Sequence, residues 1–574
     1  MTTSVSESSS ARPRKKLLGW ALVFLGALWF LWNISFLGDF WTTEGALFLL
    51  GALIFGAILL VKELSAKSVL STFRRGAVER SYKYARGRAK ALSKEYGEGP
   101  FFGMLELPIS SKEGHFCVVG ATGSGKTVTI RFFLQRLVPQ LDEGPLQGRA
   151  LIYDAKQDMV PLLAAMGGRC DVHILNPFDS RSSPWDMAKD ITEPATAYQM
   201  ASLIISDPDK ADGNSMFFVN TMRNIMSAVI QSFIEFSPLE WTFRDVLLAM
   251  ATEANLRLVL ERTAKGRQVV EACIKQGETF DNIRASIEAR ISEYEIIAAL
   301  WHTSSGPSFS LREWLQSRSV LVLGNRESSR KVMDTLNALL FNRLVELIND
   351  GPEVSEETTW IVLDEVRRAG KLDKLKDLLL FGRSKGASVL LGLQDVDGLR
   401  EVYGQNVANE ILGQCANKAI LWLNSPETAK WASSLFGEEE VIDLHRNKSS
   451  SSSSIFGGSS GSLGTSYSEN INKRDLVLTS EFLTKSGIFG VGGIGGFYSL
   501  QNIGDFKLRV STDWVRRELL PKDETKLSLS ERSVEDQRLK AWDRFDHLRL
   551  RLRAYEPLRT GSEERAVPIL PGRL

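Results

Sequence analysis

The chain has 574 residues, 43% of them hydrophobic and 24% charged, and its formal net charge is +1. That length holds two or three domains with a large buried core, and the near-zero charge excludes a global basic field, so any nucleic-acid contact must come from local patches or a pore shared by several subunits. The four cysteines (Cys117, Cys170, Cys273, Cys415) form no CxxC pair and the five histidines have no metal-ligand spacing, which excludes a disulfide scaffold and gives no sign of a transition-metal site.

Residues 17–37 are apolar apart from Asn33 and Ser35, about what one helix needs to cross a bilayer. Residues 45–61 form a second uncharged run, and Asp39 and Glu44 lie between the two. Arg12, Arg14, Lys15 and Lys16 precede the first run, and Lys62, Lys67, Arg74 and Arg75 follow the second. Positive charge on both outer flanks predicts a two-helix transmembrane hairpin with both chain ends in the cytoplasm. Trp29, Trp32, Phe40 and Trp41 sit where an interfacial aromatic belt would lie. A cleaved signal peptide fits less well, because the first run is too long and no small-residue cleavage site follows. The expected N-terminal region is thus 1–62, tail and hairpin. Residues 63–100 follow as a basic juxtamembrane linker, read as a solvated amphipathic helix within reach of membrane lipids.

From His115 short β-rich runs alternate with helical stretches, as in a parallel α/β sheet. The runs are His115–Val119, Ala150–Tyr153, Val172–Leu175, Val320–Leu323, Trp360–Leu363, Val389–Leu393 and Ala419–Leu423. The long gap after the third has a helical pattern almost throughout. The expected organisation is therefore a nucleotide-binding α/β domain over 101–186 and 306–520, with an all-α domain over 187–305 inserted in it. Residues 449–468 are a Ser/Gly tract, expected as a flexible loop. Residues 521–574 read as an exposed C-terminal helix and tail.

Gly120-Ala121-Thr122-Gly123-Ser124-Gly125-Lys126-Thr127 matches GxxxxGK[ST] between an apolar strand and a helical stretch. Its glycines let the backbone close around phosphate oxygens, and its amides with the helix N-terminus form an anion nest. Lys126 would reach the β- and γ-phosphates of ATP, and Thr127 would hold Mg²⁺. Trp360-Ile-Val-Leu-Asp364-Glu365 ends an apolar strand in two carboxylates. Asp364 would anchor the Mg²⁺ shell and Glu365 would polarise the attacking water. Gln394, at the end of another strand, is a candidate γ-phosphate sensor. Arg383 is a candidate arginine finger for a neighbouring subunit's ATP, since arginine donates bidentately to phosphate. Asp154 and Lys156 read either as crevice residues or as a helix cap and a surface charge. Arg367 and Arg368 read either as pore contacts or as surface charges. There is no HExxH and no kinase catalytic loop.

Taken in order, these segments resemble the type IV secretion coupling proteins of the TraD kind, over about residues 103–512. The resemblance rests on the P-loop, on Asn176-Pro-Phe-Asp-Ser-Arg-Ser-Ser-Pro-Trp185 and on Phe309-Ser-Leu-Arg-Glu-Trp314. It continues through Asp364-Glu365, Lys371-Leu-Asp-Lys-Leu, Gly382-Arg383-Ser-Lys-Gly386, Gln394 and Tyr403-Gly404. It implies a RecA-like P-loop motor domain with an inserted all-α domain, similar to FtsK and HerA motors, in a ring hexamer at the bacterial inner membrane. It implies partners as well: DNA gripped without regard to sequence and chiefly single-stranded, the relaxase or relaxosome, and type IV secretion proteins. Arg383 falls at the position of the family's trans-acting arginine. The loop of about seven residues between the expected membrane helices is shorter than in many members, and the tail is not strongly acidic.

The function this implies is an ATPase that links the relaxosome to a secretion channel and pumps DNA during conjugation. The alternatives are the same motor exporting protein effectors, a DNA translocase in defence or chromosome handling, and a membrane scaffold with a relic nucleotide site. Intact Lys126, Thr127, Asp364 and Glu365 argue against the scaffold.

Overall fold

Strands that are apolar on both faces belong inside a sheet covered on both sides, with helices on the crossovers. The computed structural model describes residues 70–552, except 208–212, 274–277, 353–356, 453–460, 486–487, 489, 491, 527 and 534. Its strands are β1 (Leu70–Gly76), β2 (Glu79–Arg80), β3 (Glu98–Phe102), β4 (Leu105–Pro108) and β5 (Phe116–Val119). Then come β6 (Gly148–Tyr153), β7 (Val172–Leu175), β8 (Val320–Leu323), β9 (Thr358–Leu363) and β10 (Ala387–Leu393). The last are β11 (Asn417–Ile420), β12 (Glu438–Ser452), β13 (Gly461–Asp475), β14 (Gly493–Leu500) and β15 (Gly504–Ser511). The seven apolar runs of the sequence are β5 to β11.

The described residues divide into two compact units, residues 79–432 with 478–552, and residues 70–78 with 433–477. The larger unit holds a ten-stranded sheet in the order β2-β15-β14-β11-β5-β10-β9-β6-β8-β7. The seven strands from β11 to β7 run parallel, and β14 continues the sheet antiparallel to β11. Under this sheet, Phe116 meets Phe102 at 5.1 Å and Phe133 at 5.4 Å between ring centroids, and Phe133 meets Trp360 at 5.8 Å. These rings lock the helix Lys126–Leu137 against β5 and β9, which fixes where that helix begins.

Between β7 and β8 the main elements are helices, the longest being Gly213–Phe236 and Glu278–His302. The two ends of this excursion meet at a neck. The Asp186 amide donates to the Phe309 carbonyl at 2.8 Å. The buried Asp190 carboxylate accepts from Trp185 Nε1 (2.7 Å), Ser310 Oγ (2.7 Å) and the Leu311 and Arg312 amides (2.8 and 3.1 Å). Burial pushes the Asp190 carboxyl up, and these donors oppose it.

In the smaller unit, β1, β12 and β13 form a three-stranded sheet. The β12–β13 ladder runs from Glu438↔Asp475 to Ser452↔Gly461. Residues 449–452 and 461–468 thus lie in a ladder rather than in the loop expected over 449–468, and 453–460 lie outside the described residues. A ladder is made of backbone groups, so serine and glycine, which supply little to a core, can still extend a hairpin whose register is set by Val441 and Ile442 near its base.

The C-terminal segment is largely exposed and contains a helix, Arg544–Arg549, but as far as it is described it is tied to the rest of the chain at several points. Leu520 N donates to Gln135 Oε1 (3.0 Å), Lys522 pairs with Asp158 (2.8 Å), and the Asp523 amide donates to Pro161 O (3.0 Å). Further on, the Ser180 amide donates to Ser530 O (2.7 Å), and Trp542 and Leu550 are buried. The segment is a strap from the sheet domain to the helical excursion.

One expectation is corrected outright. The fold class included a transmembrane hairpin, and with it a multi-pass membrane placement. Among the described residues no helix is long and apolar enough to cross a membrane. The two longest helices carry Asn220, Arg223 and Asn224, and Arg284, Glu288 and Arg290, groups that a bilayer core would leave unsolvated. The segments named for the hairpin, 17–37 and 45–61, lie outside the described residues. The described architecture is therefore the α/β sheet domain with its helical excursion and the small three-stranded unit, with no membrane-spanning helix among the described residues.

Candidate nucleotide-binding site

The turn between β5 and its helix is pinned at both edges by neighbouring strands. Gly120 N donates to Leu393 O (3.0 Å), and Ala121 N to Trp422 O (2.8 Å). Gly123 and Gly125 have φ of 78° and 103°, where a side chain would be strained. A Cβ on Gly125 would also lie 2.5 Å from Ile494 Cγ2, on β14. The loop therefore turns straight into the helix at Lys126, whose first amides have no intrahelical acceptor and face the hollow of the loop.

β10 lies between β5 and β9, so the ends of all three strands converge. Asp364 and Glu365 leave β9 almost fully buried, at 3% and 5% exposure. Lys126 Nζ lies 2.8 Å from Glu365 Oε2, and Gln394 Nε2 donates to the same oxygen at 3.0 Å. Glu365 itself has φ 68° and ψ 60°, left-handed backbone that a non-glycine residue adopts at a cost of roughly 1–3 kcal/mol. Asp364 Oδ1 is buried and has no hydrogen-bond partner. It sits over Gly392, where a Cβ would come within 2.9 Å of it, so only glycine leaves the carboxylate this space. Burial pushes the Asp364 carboxyl up, against the opposing pull of Lys156 and Lys126. Ser124 Oγ, in the loop, is likewise buried and unpartnered.

The structure divides the pair that the sequence left open. The Asp154 carboxylate accepts from the amides of Lys156 (3.3 Å), Asp158 (3.0 Å) and Met159 (3.0 Å), capping the helix Met159–Ala165. Lys156 instead points into the site: its Nζ donates to Thr127 Oγ1 at 3.0 Å and lies 3.6 Å from Asp364 Oδ2. The DxK spacing after a strand was the available signal.

Arg383 is elsewhere. It precedes β10, at the amino edge of the parallel strands, and its Nη2 donates to the Glu113 carboxylate at 3.0 Å. The P-loop leaves the carboxyl edge. A seven-residue strand spans about 20 Å, so Arg383 cannot reach its own P-loop. Arg367 is exposed and pairs with Glu401 at 2.6 Å, and the Arg368 carbonyl accepts from Tyr153.

Thr127, Asp364 and the orphaned Asp364 Oδ1 are hard oxygen donors at the foot of an anion nest, a set that fits Mg²⁺ carried in with phosphates. A lysine ammonium already stands between two of these oxygens, which marks the spot as one that stabilises positive charge.

Residues 101–490 match the family model described as the type IV secretion-system coupling protein DNA-binding domain. The chain is 22% identical over 460 residues to the coupling protein TraD of Escherichia coli (strain K12), a match covering 77% of this chain and 60% of that protein. It therefore spans about 60% of the length of that relative. Among solved structures it is similar to the bacterial conjugative coupling protein TrwBdeltaN70 in its unbound form, with a TM-score of 0.60 at 20% identity over 80% of this chain and 96% of that one. It is similar to the plasmid coupling protein TrwB in complex with ADP and Mg²⁺, with a TM-score of 0.59 at 20% identity over 81% and 99%. TrwB in complex with a non-hydrolysable ATP analogue gives 0.59 at 19% identity over 80% and 98%. At these identities the structural likeness speaks for the fold.

Proposed function

This chain belongs to the type IV secretion-system coupling protein family, and on that premise we propose that it is an ATP-hydrolysing motor that moves DNA during conjugative transfer and links the relaxosome to the secretion channel. One observation carries the ATPase reading: Lys126, Glu365 and Gln394 meet on one carboxylate oxygen beside a P-loop and an orphaned Asp364.

The residues act as follows. The amides of Gly120 to Thr127 bind the phosphate chain, and Lys126 leaves Glu365 for the β- and γ-phosphates. Thr127 and Asp364 would hold Mg²⁺, which when bound would supply charge stabilisation to the phosphates. Glu365, released from Lys126 but still tied to Gln394, orients the attacking water. Gln394 thus couples the γ-phosphate to the backbone at the end of β10. Arg383, about 20 Å from its own P-loop by strand geometry, acts on a neighbour's nucleotide in a ring, which we take to be a hexamer. Turnover then requires assembly, and the grip on the DNA phosphate backbone weakens with salt.

The test is steady-state ATPase of the whole chain across protein concentration, with and without single- and double-stranded DNA. Activity that rises with both supports a ring motor working on DNA. Activity that rises with concentration but ignores DNA points to protein cargo, and none under any condition removes the ATPase reading.

A further inference from the structure

The site contains two cations and two carboxylates, and the reaction described above uses only one of the cations. Lys126 pairs with Glu365. Lys156 is the other: its Nζ stands 3.0 Å from Thr127 Oγ1 and 3.6 Å from Asp364 Oδ2. These are the two residues read as the Mg²⁺ holders. The Asp364 side chain is 5% exposed and that of Lys156 is 42% exposed, so the carboxylate is fixed and buried while the lysine reaches it from solvent. The backbone at Lys156 is also fixed, because the Asp154 carboxylate holds the amides of Lys156, Asp158 and Met159. The next turn is tied down by the Lys522–Asp158 pair and by the Asp523 amide on Pro161 O. What can move is the four-carbon stem and ammonium of Lys156.

We propose that Lys156 is a positioning residue that bridges Thr127 and Asp364 in place of Mg²⁺ in the nucleotide-free protein, and gives that place up when nucleotide arrives with its cation. The physical ground is competition. A buried carboxylate needs a counter-charge, and Lys156 and a divalent cation would compete for the Thr127 hydroxyl, 3.0 Å from Lys156 Nζ, and for the single charge of Asp364. With Lys126 on Glu365 and Lys156 on Asp364 the two carboxylates are each paired with a cation, and the nucleotide-free protein would not need Mg²⁺ for stability. The same competition favours release of the metal once the phosphates leave.

The inference rests on the reading that Thr127 and Asp364 hold Mg²⁺, and the experiment separates the two. Binding of a fluorescent ADP analogue to the full chain is titrated with Mg²⁺, together with melting in EDTA. In wild type, nucleotide affinity should rise with Mg²⁺. If it does not, the Mg²⁺ reading of Thr127 and Asp364 falls, and this proposal with it. In Lys156→Met the Mg²⁺ concentration giving half the effect should drop roughly three- to tenfold, as expected for losing one partly exposed charge pair with a buried acid. Melting in EDTA should occur at lower temperature than in wild type and be restored by Mg²⁺ alone. Lys156→Gln, which retains a hydrogen-bond donor, should shift the Mg²⁺ midpoint in the same direction, and Lys156→Arg should stay near wild type. A midpoint that is unchanged or raised in the uncharged variants, with wild type responding to Mg²⁺, overturns the proposal.

Discussion

Two buried charge clusters in this protein are built to opposite ends. Where the C-terminal strap meets the helical excursion, Asp546 and Arg549 of the strap meet Arg244 and Asp245 of the excursion. Asp245 accepts from Trp542 Nε1 (2.9 Å), the Thr242 amide and hydroxyl (both 2.8 Å) and Arg549 Nη2 (2.9 Å). Asp546 accepts from Arg244 Nη2 (2.8 Å), the Asp543 amide (3.1 Å) and Arg549 Nη2 (3.0 Å). Every carboxylate oxygen there has a donor. Burial would push the Asp546 carboxyl up, but the bonds from Arg244 and Arg549 outweigh it and hold it well below the usual range. At the nucleotide site the balance is reversed. Asp364 has an oxygen without a donor, burial leaves its carboxyl above the usual range, and Glu365 stands in strained backbone. A cluster whose carboxylate oxygens are all satisfied, with only Arg244 Nη1 lacking a hydrogen-bond partner, is a lock, here holding the C-terminal strap to the excursion. An unsaturated one is a site waiting for a ligand.

The contrast can be broken by experiment. The largest effect is expected on turnover: Lys126→Ala and Glu365→Gln should each lower steady-state ATPase by at least about 100-fold, with cooperative unfolding retained by circular dichroism. Near-wild-type rates in either would make this cluster structural too. Next in size, Asp245→Asn or Asp546→Asn should destabilise by about 3–5 kcal/mol in denaturant unfolding, since removing one partner strands buried arginines. A loss below about 1 kcal/mol would mean the lock is not one.

His115 gives a third, uncharged case. Its Nδ1 accepts from the Val389 amide (3.2 Å) and its Nε2 donates to Leu379 O (3.1 Å), so it is buried as the neutral ring. Burial pushes its pKa down to about 4. The unfolded chain binds this proton below about pH 6.5 and the folded chain does not. The contribution of His115 is therefore full above pH 6.5 and is lost as pH falls toward 4, by about 3 kcal/mol. Unfolding by urea at a series of pH values should show that decline, flattened in His115→Gln. An equal slope in the variant would assign the decline to other groups.

The smallest effect is expected from Asp364→Asn. The charged form of Asp364 is disfavoured by burial, so removing the charge should leave the nucleotide-free chain as stable or raise its stability by up to about 1 kcal/mol. It should at the same time abolish Mg²⁺-dependent nucleotide binding. Destabilisation as large as that of Asp546→Asn would erase the distinction between the two clusters.

Much of this protein is set locally and can be read without coordinates. The seven apolar runs became β5 to β11 because parallel strands buried on both faces need continuous hydrophobic segments. GxxxxGK[ST] specifies a turn that only its glycines permit. Asp-Glu at the end of an apolar strand places two carboxylates at a sheet edge. The order of motifs was enough to suggest the family. Other features depended on which distant segments meet. Gln394 lies against Glu365 because β10 inserts between β5 and β9, and Lys156 reaches Thr127 and Asp364 because β6 lies beside β9. Residues 449–452 and 461–468 of the Ser/Gly tract pair through backbone bonds that carry no residue signature. The strap over 520–552 gains its burial from surfaces hundreds of residues away, around Asp158, Ser180 and Asp245. Spacing along the chain encodes local geometry. Which charge neutralises which is a matter of distance in space, and that was settled only when the strands took their order.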